Sequence, residues 1–258
     1  MNVIEELEYF YQNYDGEKGI VGYSVLNRPI YYFCIKKSVR PVMIAAFSIH
    51  AREYITTYLA MELIKKFKKD ATAGSVYFIP MVNPDGVNIA LTQKPLYKAN
   101  ANGVDLNVNF DAKWGEGIKN TKVKGDENYI GAKPFSEPET HSLKKFTLLT
   151  RPDVTLSFHS KGEEIYWKFF QNEKNLIRDY AIASRAAVST GYKLTEPFGS
   201  VGGYKDWCIQ RLQIPSLTIE VGSDKLFHPI KKRSLKSIYK KTACLIEDVI
   251  DEMKGIIK

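Results

Sequence analysis

Short apolar runs and amphipathic stretches alternate along the first third of the chain. Residues 22–26 and 30–35 flank a polar turn and predict a β-hairpin. Residues 42–49 are nearly all apolar, which predicts a strand buried on both faces. From 53 to 67 apolar residues recur every four positions, which indicates a helix with one apolar face. This part of the chain therefore predicts strands followed by a helix.

The rest of the chain continues the alternation. Further strands are predicted at 75–82, 154–159, 165–170 and 216–221, and further helices at 136–149, 175–190 and 229–257. Asn83-Pro84-Asp85-Gly86 is interpreted as a turn that ends the strand before it. Residues 87–135 show little periodicity, and such a long irregular stretch inside a domain is usually functional. Buried strands that alternate with helices predict a single α/β domain over residues 1–258, with a largely parallel, mixed sheet.

Composition excludes some classes of protein. The chain has 258 residues, 44% of them hydrophobic, but no run approaches the roughly 18 apolar residues that a membrane helix needs. The first residues show no apolar signal segment, so we expect a cytoplasmic protein without membrane insertion. The three cysteines are far apart, which argues against a disulfide framework. Nothing in the sequence indicates the oligomeric state.

The net charge of +8 raises the question of nucleic-acid binding. Lysines cluster at 65–69, and basic residues cluster again at 231–233. Both clusters lie in amphipathic helical stretches, where solvated basic faces are ordinary, and no nucleic-acid motif accompanies them. We therefore expect no nucleic-acid partner, and we interpret the charge as weak support for an anionic substrate.

Three polar residues end three of the predicted strands. His50, His159 and Glu220 each follow a run of mainly apolar residues. In open α/β sheets, ligands bind at the carboxyl ends of the strands. We therefore expect these side chains to share one site.

Glu53 lies three residues after His50, where both side chains can converge on one ion. Two imidazoles and a carboxylate form a known catalytic zinc set, so His50, Glu53 and His159 are the predicted ligands of one Zn²⁺ ion. The same donors accept several other divalent ions. A carboxylate outside the metal shell must take a proton from water and pass it to the leaving amine, and Glu220 is the predicted base.

With these residues in place, the sequence resembles the zinc carboxypeptidase family, and within it the bacterial branch of γ-D-glutamyl-L-diamino acid (murein) peptidases. The resemblance rests on seven motifs in order: His50-Ala51-Arg52-Glu53, Asn83-Pro84-Asp85-Gly86, Gly103-Val104-Asp105-Leu106-Asn107, Phe135-Ser136-Glu137-Pro138-Glu139-Thr140, Ser157-Phe158-His159-Ser160, Gly202-Gly203-Tyr204-Lys205-Asp206-Trp207 and Thr218-Ile219-Glu220. It implies the same zinc ligands and base. It also implies a mixed, twisted sheet of eight strands flanked by helices.

The chain departs from the family pattern at several substrate positions. The arginine that clamps a terminal carboxylate in digestive carboxypeptidases is replaced by Val108, which cannot form an ion pair, although Asn107 remains to bind a carboxylate. Lys98 aligns with the carbonyl-polarising arginine, and we expect it to stabilise the oxyanion. The capping tyrosine of the family falls near Phe198, which has no hydroxyl. Tyr204 is the predicted substitute.

Three further basic residues are predicted to bind substrate. Lys205 occupies the position that sets side-chain preference, Arg52 lies inside the zinc motif, and Lys161 follows His159-Ser160. Together they favour an anionic peptide such as the stem peptide of bacterial cell wall.

The resulting hypothesis is zinc-dependent hydrolysis of the bond between γ-D-Glu and the diamino acid, in the cytosol or in a spore. Two alternatives stay open: a carboxypeptidase that releases C-terminal residues from other peptides, and a relative that binds peptides without cleaving them.

Overall fold

An antiparallel hairpin begins the sheet, as the sequence predicts, although its first strand spans residues 17–23 and not the predicted 22–26. The structure is a computed structural model that describes residues 1–196 and 198–257. Within them the strands are β1 (Glu17–Tyr23), β2 (Pro29–Lys36), β3 (Val42–Phe47), β4 (Ser75–Ile79), β5 (Val154–His159), β6 (Glu164–Tyr166), β7 (Lys193–Thr195) and β8 (Ser216–Glu220). The helices are α1 (Val3–Asn13), α2 (Ile55–Asp70), α3 (Pro84–Thr92), α4 (Pro138–Thr150), α5 (Glu173–Thr190), α6 (Tyr204–Leu212), α7 (Leu235–Thr242) and α8 (Leu245–Ile256).

All the described strands join one mixed sheet, in the order β1-β2-β4-β3-β5-β8-β6-β7. The strands β4, β3, β5 and β8 run parallel to one another at its centre. The strand β2 is antiparallel to β1 and β4, and β6 is antiparallel to β8. This arrangement confirms the predicted eight-stranded mixed sheet.

Alternate residues of the central strands face opposite sides, as the pleat of a strand requires. In β3, Met43 and Ala45 join an apolar cluster with α1, α2, α5, α7 and α8, whereas Ile44 and Ala46 join a second cluster that includes residues of α4 and α6. All four are fully buried. The sheet is therefore covered by helices on both faces, which is why its central strands are nearly all apolar.

Register brings the ends of the central strands to one edge. Phe47 of β3 lies opposite Phe158 of β5, with ring centroids 4.3 Å apart. His159 at the end of β5 lies opposite Glu220 at the end of β8. The polar residues that end β3, β5 and β8 are thus neighbours.

Three local predictions are wrong. Asn83 does not begin a turn but caps α3, because its side chain accepts a hydrogen bond from the N–H of Gly86 and Pro84 suits the first turn of a helix. The predicted closing helix 229–257 is two helices, α7 and α8, separated at Ala243 and Cys244. The strand predicted at 165–170 ends at Tyr166.

No helix of the described residues is long and apolar enough to cross a bilayer.

Candidate active site

A cavity of about 670 Å³ opens at the carboxyl ends of the central strands. The polar residues among its described lining include His50, Arg52, Lys98, Asp105, Asn107, Lys119, Glu127, Tyr166, Lys205, Asp206, Thr218 and Glu220. Five of these residues (Lys98, Asp105, Asn107, Lys119 and Glu127) lie in the long stretch between α3 and α4, and the others lie in or directly after strands or in the first turn of α6. Loops that are held by a rigid sheet commonly carry function.

Three of the predicted residues meet at the base of this edge. His50 leaves β3 in an extended conformation, and a single 3₁₀ turn over Ala51–Glu53 then brings Glu53 back beside it. Nδ1 of His50 lies 2.9 Å from Oε1 of Glu53, and Nδ1 of His159 lies 3.1 Å from Oε2. The two Nδ1 atoms are 3.2 Å apart. One turn and one strand end are therefore enough to assemble the cluster.

The spacing of these three donors suits a divalent metal ion. Their ligand atoms lie within 4.8 Å of one another, and all three residues are buried. Donors at about 2.0–2.1 Å from a tetrahedral zinc ion would be roughly 3.3 Å apart, close to the 2.9–3.2 Å separations seen here. The two ring nitrogens and the carboxylate face one another, so all three can direct lone pairs at a single cation, as the ligands of a zinc ion do.

Burial and mutual charge shift the titration of the cluster. Burial alone would lower the pKa of His50, but the carboxylates of Glu53 and Asp105 outweigh it and raise that pKa to about 9. Burial opposes ionisation of Glu53, yet the charge of His50 and hydrogen bonds from both imidazoles hold its pKa far below the usual range. Burial lowers the pKa of His159. The carboxylate is therefore ionised at neutral pH and available as a ligand.

Glu220 lies beside this cluster without belonging to it. It ends β8, lines the cavity and lies opposite His159 in the sheet. Burial, together with the negative charge of Glu53, raises the pKa of Glu220 well above its ordinary value. A divalent cation held by the cluster would favour the ionised form, so the position suits an acid–base group.

Asp105 is a functional candidate that the sequence analysis did not select. It is almost fully buried and lies between two predicted site residues, with Oδ1 3.2 Å from Nε2 of His50 and Oδ2 2.7 Å from Nζ of Lys98. A carboxylate behind a ligating imidazole fixes the orientation of its ring. The sequence signal was the motif Gly103-Val104-Asp105, which places an acidic residue in a stretch without helix or strand periodicity.

Lys98 lines the cavity, as predicted for an oxyanion-stabilising cation. Its ammonium group contacts Asp105 and donates to Oδ1 of Asn128 over 2.7 Å. Burial favours the neutral amine, but the carboxylate of Asp105 outweighs it and raises the pKa of Lys98. The side chain is therefore charged and held in place.

Three predicted substrate-binding residues also line the cavity, although each has a partner there. Arg52 lies 3.1 Å from Glu127, Lys205 forms an ion pair with Asp206, and Oδ1 of Asn107 accepts from the N–H of Tyr204 over 3.2 Å. The described lining carries four side-chain cations and four carboxylates: Arg52, Lys98, Lys119 and Lys205, and Asp105, Glu127, Asp206 and Glu220. The cavity is therefore of mixed charge, whereas the substrate-binding residues predicted from the sequence to be charged were all basic.

Two predictions for substrate contacts disagree with the structure. Tyr204 is fully buried, and its hydroxyl lies 2.9 Å from that of Thr147, so it cannot substitute for a capping tyrosine. The reason is that α6 begins at this residue and turns its side chain into the core. Lys161 donates to the carbonyl of Asp224 and is absent from the described lining of the cavity. Tyr166, which was not selected, does line it.

Comparison with known proteins agrees with this geometry. The family model "Zinc carboxypeptidase" matches residues 7–243. Gamma-D-glutamyl-L-diamino acid endopeptidase 1 of Lysinibacillus sphaericus is 30% identical, over 93% of this chain and 68% of its own length. A zinc carboxypeptidase of Simulium vittatum is also 30% identical, over 69% of each chain.

Solved structures share the fold. Bovine thrombin-activatable fibrinolysis inhibitor matches with a TM-score of 0.88 at 19% identity, covering 100% of this chain and 98% of its own. The murein-tripeptide amidase MpaA of Escherichia coli O157 matches with a TM-score of 0.63 at 23% identity, covering 93% and 92%. The family model covers most of the sequence and the fold agrees over its whole length, so this chain is a metallopeptidase that belongs to the zinc carboxypeptidase family.

Proposed function

We propose that this protein is a zinc-dependent hydrolase of the bond between γ-D-Glu and the following diamino acid in cell-wall stem peptides. One observation carries the chemical part: the donors of His50, Glu53 and His159 converge within 4.8 Å beside the separate carboxylate of Glu220. A relative with that named activity supports the choice of substrate.

The residues divide the reaction between them. Zinc bound by the three donors would polarise the scissile carbonyl and acidify water. Glu220 takes the proton from the attacking water and delivers it to the leaving amine. Lys98 provides positive charge for the developing oxyanion, with Asp105 holding its ammonium group at 2.7 Å.

The lining of the cavity supports a substrate with both signs of charge. Val108 lines it where an arginine would bind a terminal carboxylate, so release of ordinary C-terminal residues is disfavoured. Lys205 and Asp206 are both about 5% exposed and together present a cation and an anion. A diamino acid that also carries a carboxylate can pair with both, whereas a simple acid would be repelled by Asp206.

The test uses purified protein with zinc and the peptide L-Ala-γ-D-Glu-meso-diaminopimelate. Cleavage after D-Glu is expected, identified by mass spectrometry of the products. The variant Glu220→Gln should retain zinc but lose about 10²–10⁴-fold in kcat, because no group remains to move the proton. Glu163→Gln, a change of the same kind at a residue that pairs with Lys241, should leave kcat unchanged.

Two outcomes would contradict the proposal. Release of ordinary C-terminal L-residues without cleavage after D-Glu would favour the carboxypeptidase alternative. Peptide binding with no hydrolysis by the zinc-loaded protein would favour the non-catalytic one.

A further inference from the structure

Asn83 lies outside the cavity but between the two segments that carry its chemistry. It is fully buried at the start of α3. Its side-chain amide donates to the carbonyl of Ile49 and to the carbonyl of Ala99, both over 3.1 Å. Ile49 immediately precedes His50, and Ala99 immediately follows Lys98.

The amide of Asn83 is suited to this position because it has two N–H donors and one acceptor. Both donors are used by the two carbonyls, and Oδ1 accepts from the N–H of Gly86 over 3.0 Å. The backbone N–H of Asn83 also donates to the carbonyl of Ser48, the residue that follows β3, over 3.2 Å. Every polar atom of the side chain therefore has a partner, and no water is needed to satisfy it.

Gly86 provides independent evidence that the contact is close. A Cβ atom at this position would collide with the carbonyl oxygen of Ala99 and with the side chain of Asn83. The backbone of Gly86 is not left-handed, so space rather than conformation requires glycine. Asn83 and Gly86 therefore both contribute to the contact between the segment at Ile49–His50 and the segment at Lys98–Ala99, which we call the junction.

We propose that Asn83 is a positioning residue that sets the distance between the metal-binding turn at His50 and the oxyanion cation Lys98. A backbone bond between Ala51 N–H and Lys98 carbonyl, 3.0 Å long, already joins the two segments at one point. The amide of Asn83 adds one hydrogen bond to each segment, at Ile49 and at Ala99, so the two segments are joined at more than one point. The inference rests on the proposed roles of His50 and Lys98.

The test uses Asn83→Asp in the full-length protein. Aspartate keeps the size of the side chain and an acceptor for Gly86, but it places a carboxylate against two carbonyl oxygens. We expect a fall in kcat of up to about 10²-fold at saturating zinc, with KM nearly unchanged, because a shift of about 1 Å in a catalytic group costs this much. Asn88→Asp is the matched control, since it makes the same change on the half-buried side of the same helix.

Two further measurements separate positioning from general destabilisation. In a Lys98→Met background, Asn83→Asp should cost kcat far less than it does alone, since the cation it positions is absent. Zinc affinity, measured by competition with a chromogenic chelator, should fall by about tenfold, because outer contacts orient a metal ligand.

The outcomes are distinguishable from failure of the proposed function. If wild-type protein binds zinc and cleaves no peptide, the proposed function fails, and the zinc measurement still tests the His50 side of the junction. If wild-type protein is active, two results would contradict the positioning role. One is equal zinc affinity in Asn83→Asp and Asn88→Asp. The other is a loss of kcat from Asn83→Asp that is as large in the Lys98→Met background as in the wild-type protein.

Discussion

At the scale of single residues, contacts between oppositely charged side chains hold the site in place. Asp105 contacts His50 on one side and Lys98 on the other, at 3.2 and 2.7 Å. The positive charges of Lys98 and His50 overcome the burial of Asp105 and hold its pKa far below the usual range. Asp105 therefore stays ionised and orients both a predicted metal ligand and the predicted oxyanion cation.

We expect Asp105→Asn to weaken zinc binding by about 10–100-fold, because the ring of His50 loses the carboxylate behind it. Competition with a chromogenic chelator measures this directly. Asp111→Asn is the control, since the side chain of Asp111 is about half exposed and pairs with Arg211. Equal zinc affinity in the two variants would show that Asp105 does not support His50.

At the scale of elements, α3 shows how closely the helices and loops around the site are packed. Gly86 is in its first turn, where a Cβ atom would meet the carbonyl of Ala99. At Gly255, near the end of α8, no other part of the described chain lies within 4 Å of where a Cβ atom would stand. Both residues are helical glycines, so they differ mainly in the space around them.

Replacing glycine with alanine should therefore have opposite effects on the free energy of unfolding at these two positions. Gly86→Ala is expected to lower the free energy of unfolding by about 2 kcal/mol, because the neighbouring backbone must move. Gly255→Ala should raise it by up to about 1 kcal/mol, since alanine is the better helix former. Urea unfolding measures both, and a loss of similar size in both variants would contradict the steric explanation.

The same elements show what could be predicted from sequence and what could not. The hairpin and the strands that carry His50, His159 and Glu220 were recognisable, because an apolar run ending in a polar residue is a local signal. The helix α3 was missed because Asn-Pro-Asp-Gly suits a turn and a helix N-terminus equally well. The break between α7 and α8 has no glycine or proline to mark it, so only packing decides it.

The substrate contacts were predicted less well than the metal donors. His50, Glu53 and His159 follow from the strand ends, which the sheet brings together. The orientation of Tyr204 depends on where α6 begins, and the counter-charge beside Arg52 comes from a loop 75 residues away. Such pairings are long-range, and no local pattern encodes them.

At the scale of the whole molecule, a second buried carboxyl joins distant parts of the chain. Glu139 of α4 is fully buried and accepts hydrogen bonds from the backbone of Val25 over 3.2 Å and from Asn100 over 3.1 Å. It therefore ties α4 to the segment after β1 and to the loop that carries Lys98. No predicted ligand or base is involved, so its effect should appear in stability.

Burial raises the pKa of Glu139 from 4.5 to about 7, although hydrogen bonds from Asn100 and Val25 oppose the shift. Between pH 4.5 and about pH 7, the folded protein keeps a proton on Glu139 that the unfolded chain has released. Stability from this group is therefore fully present below about pH 4.5 and is lost as pH rises through 7. The difference is on the order of 3 kcal/mol, at 1.36 kcal/mol for each pKa unit.

Glu139→Gln should flatten this dependence, because an amide never ionises and, like the protonated carboxyl, keeps one carbonyl acceptor for Val25 or Asn100. The expected result is a gain in the free energy of unfolding relative to wild type at pH 8 and little difference at pH 4.5, measured by urea unfolding across the range. Glu62→Gln, at a partly exposed residue paired with Lys65, should follow the wild-type profile. A wild-type profile in Glu139→Gln would contradict the prediction, because it would mean that folding does not raise the pKa of Glu139.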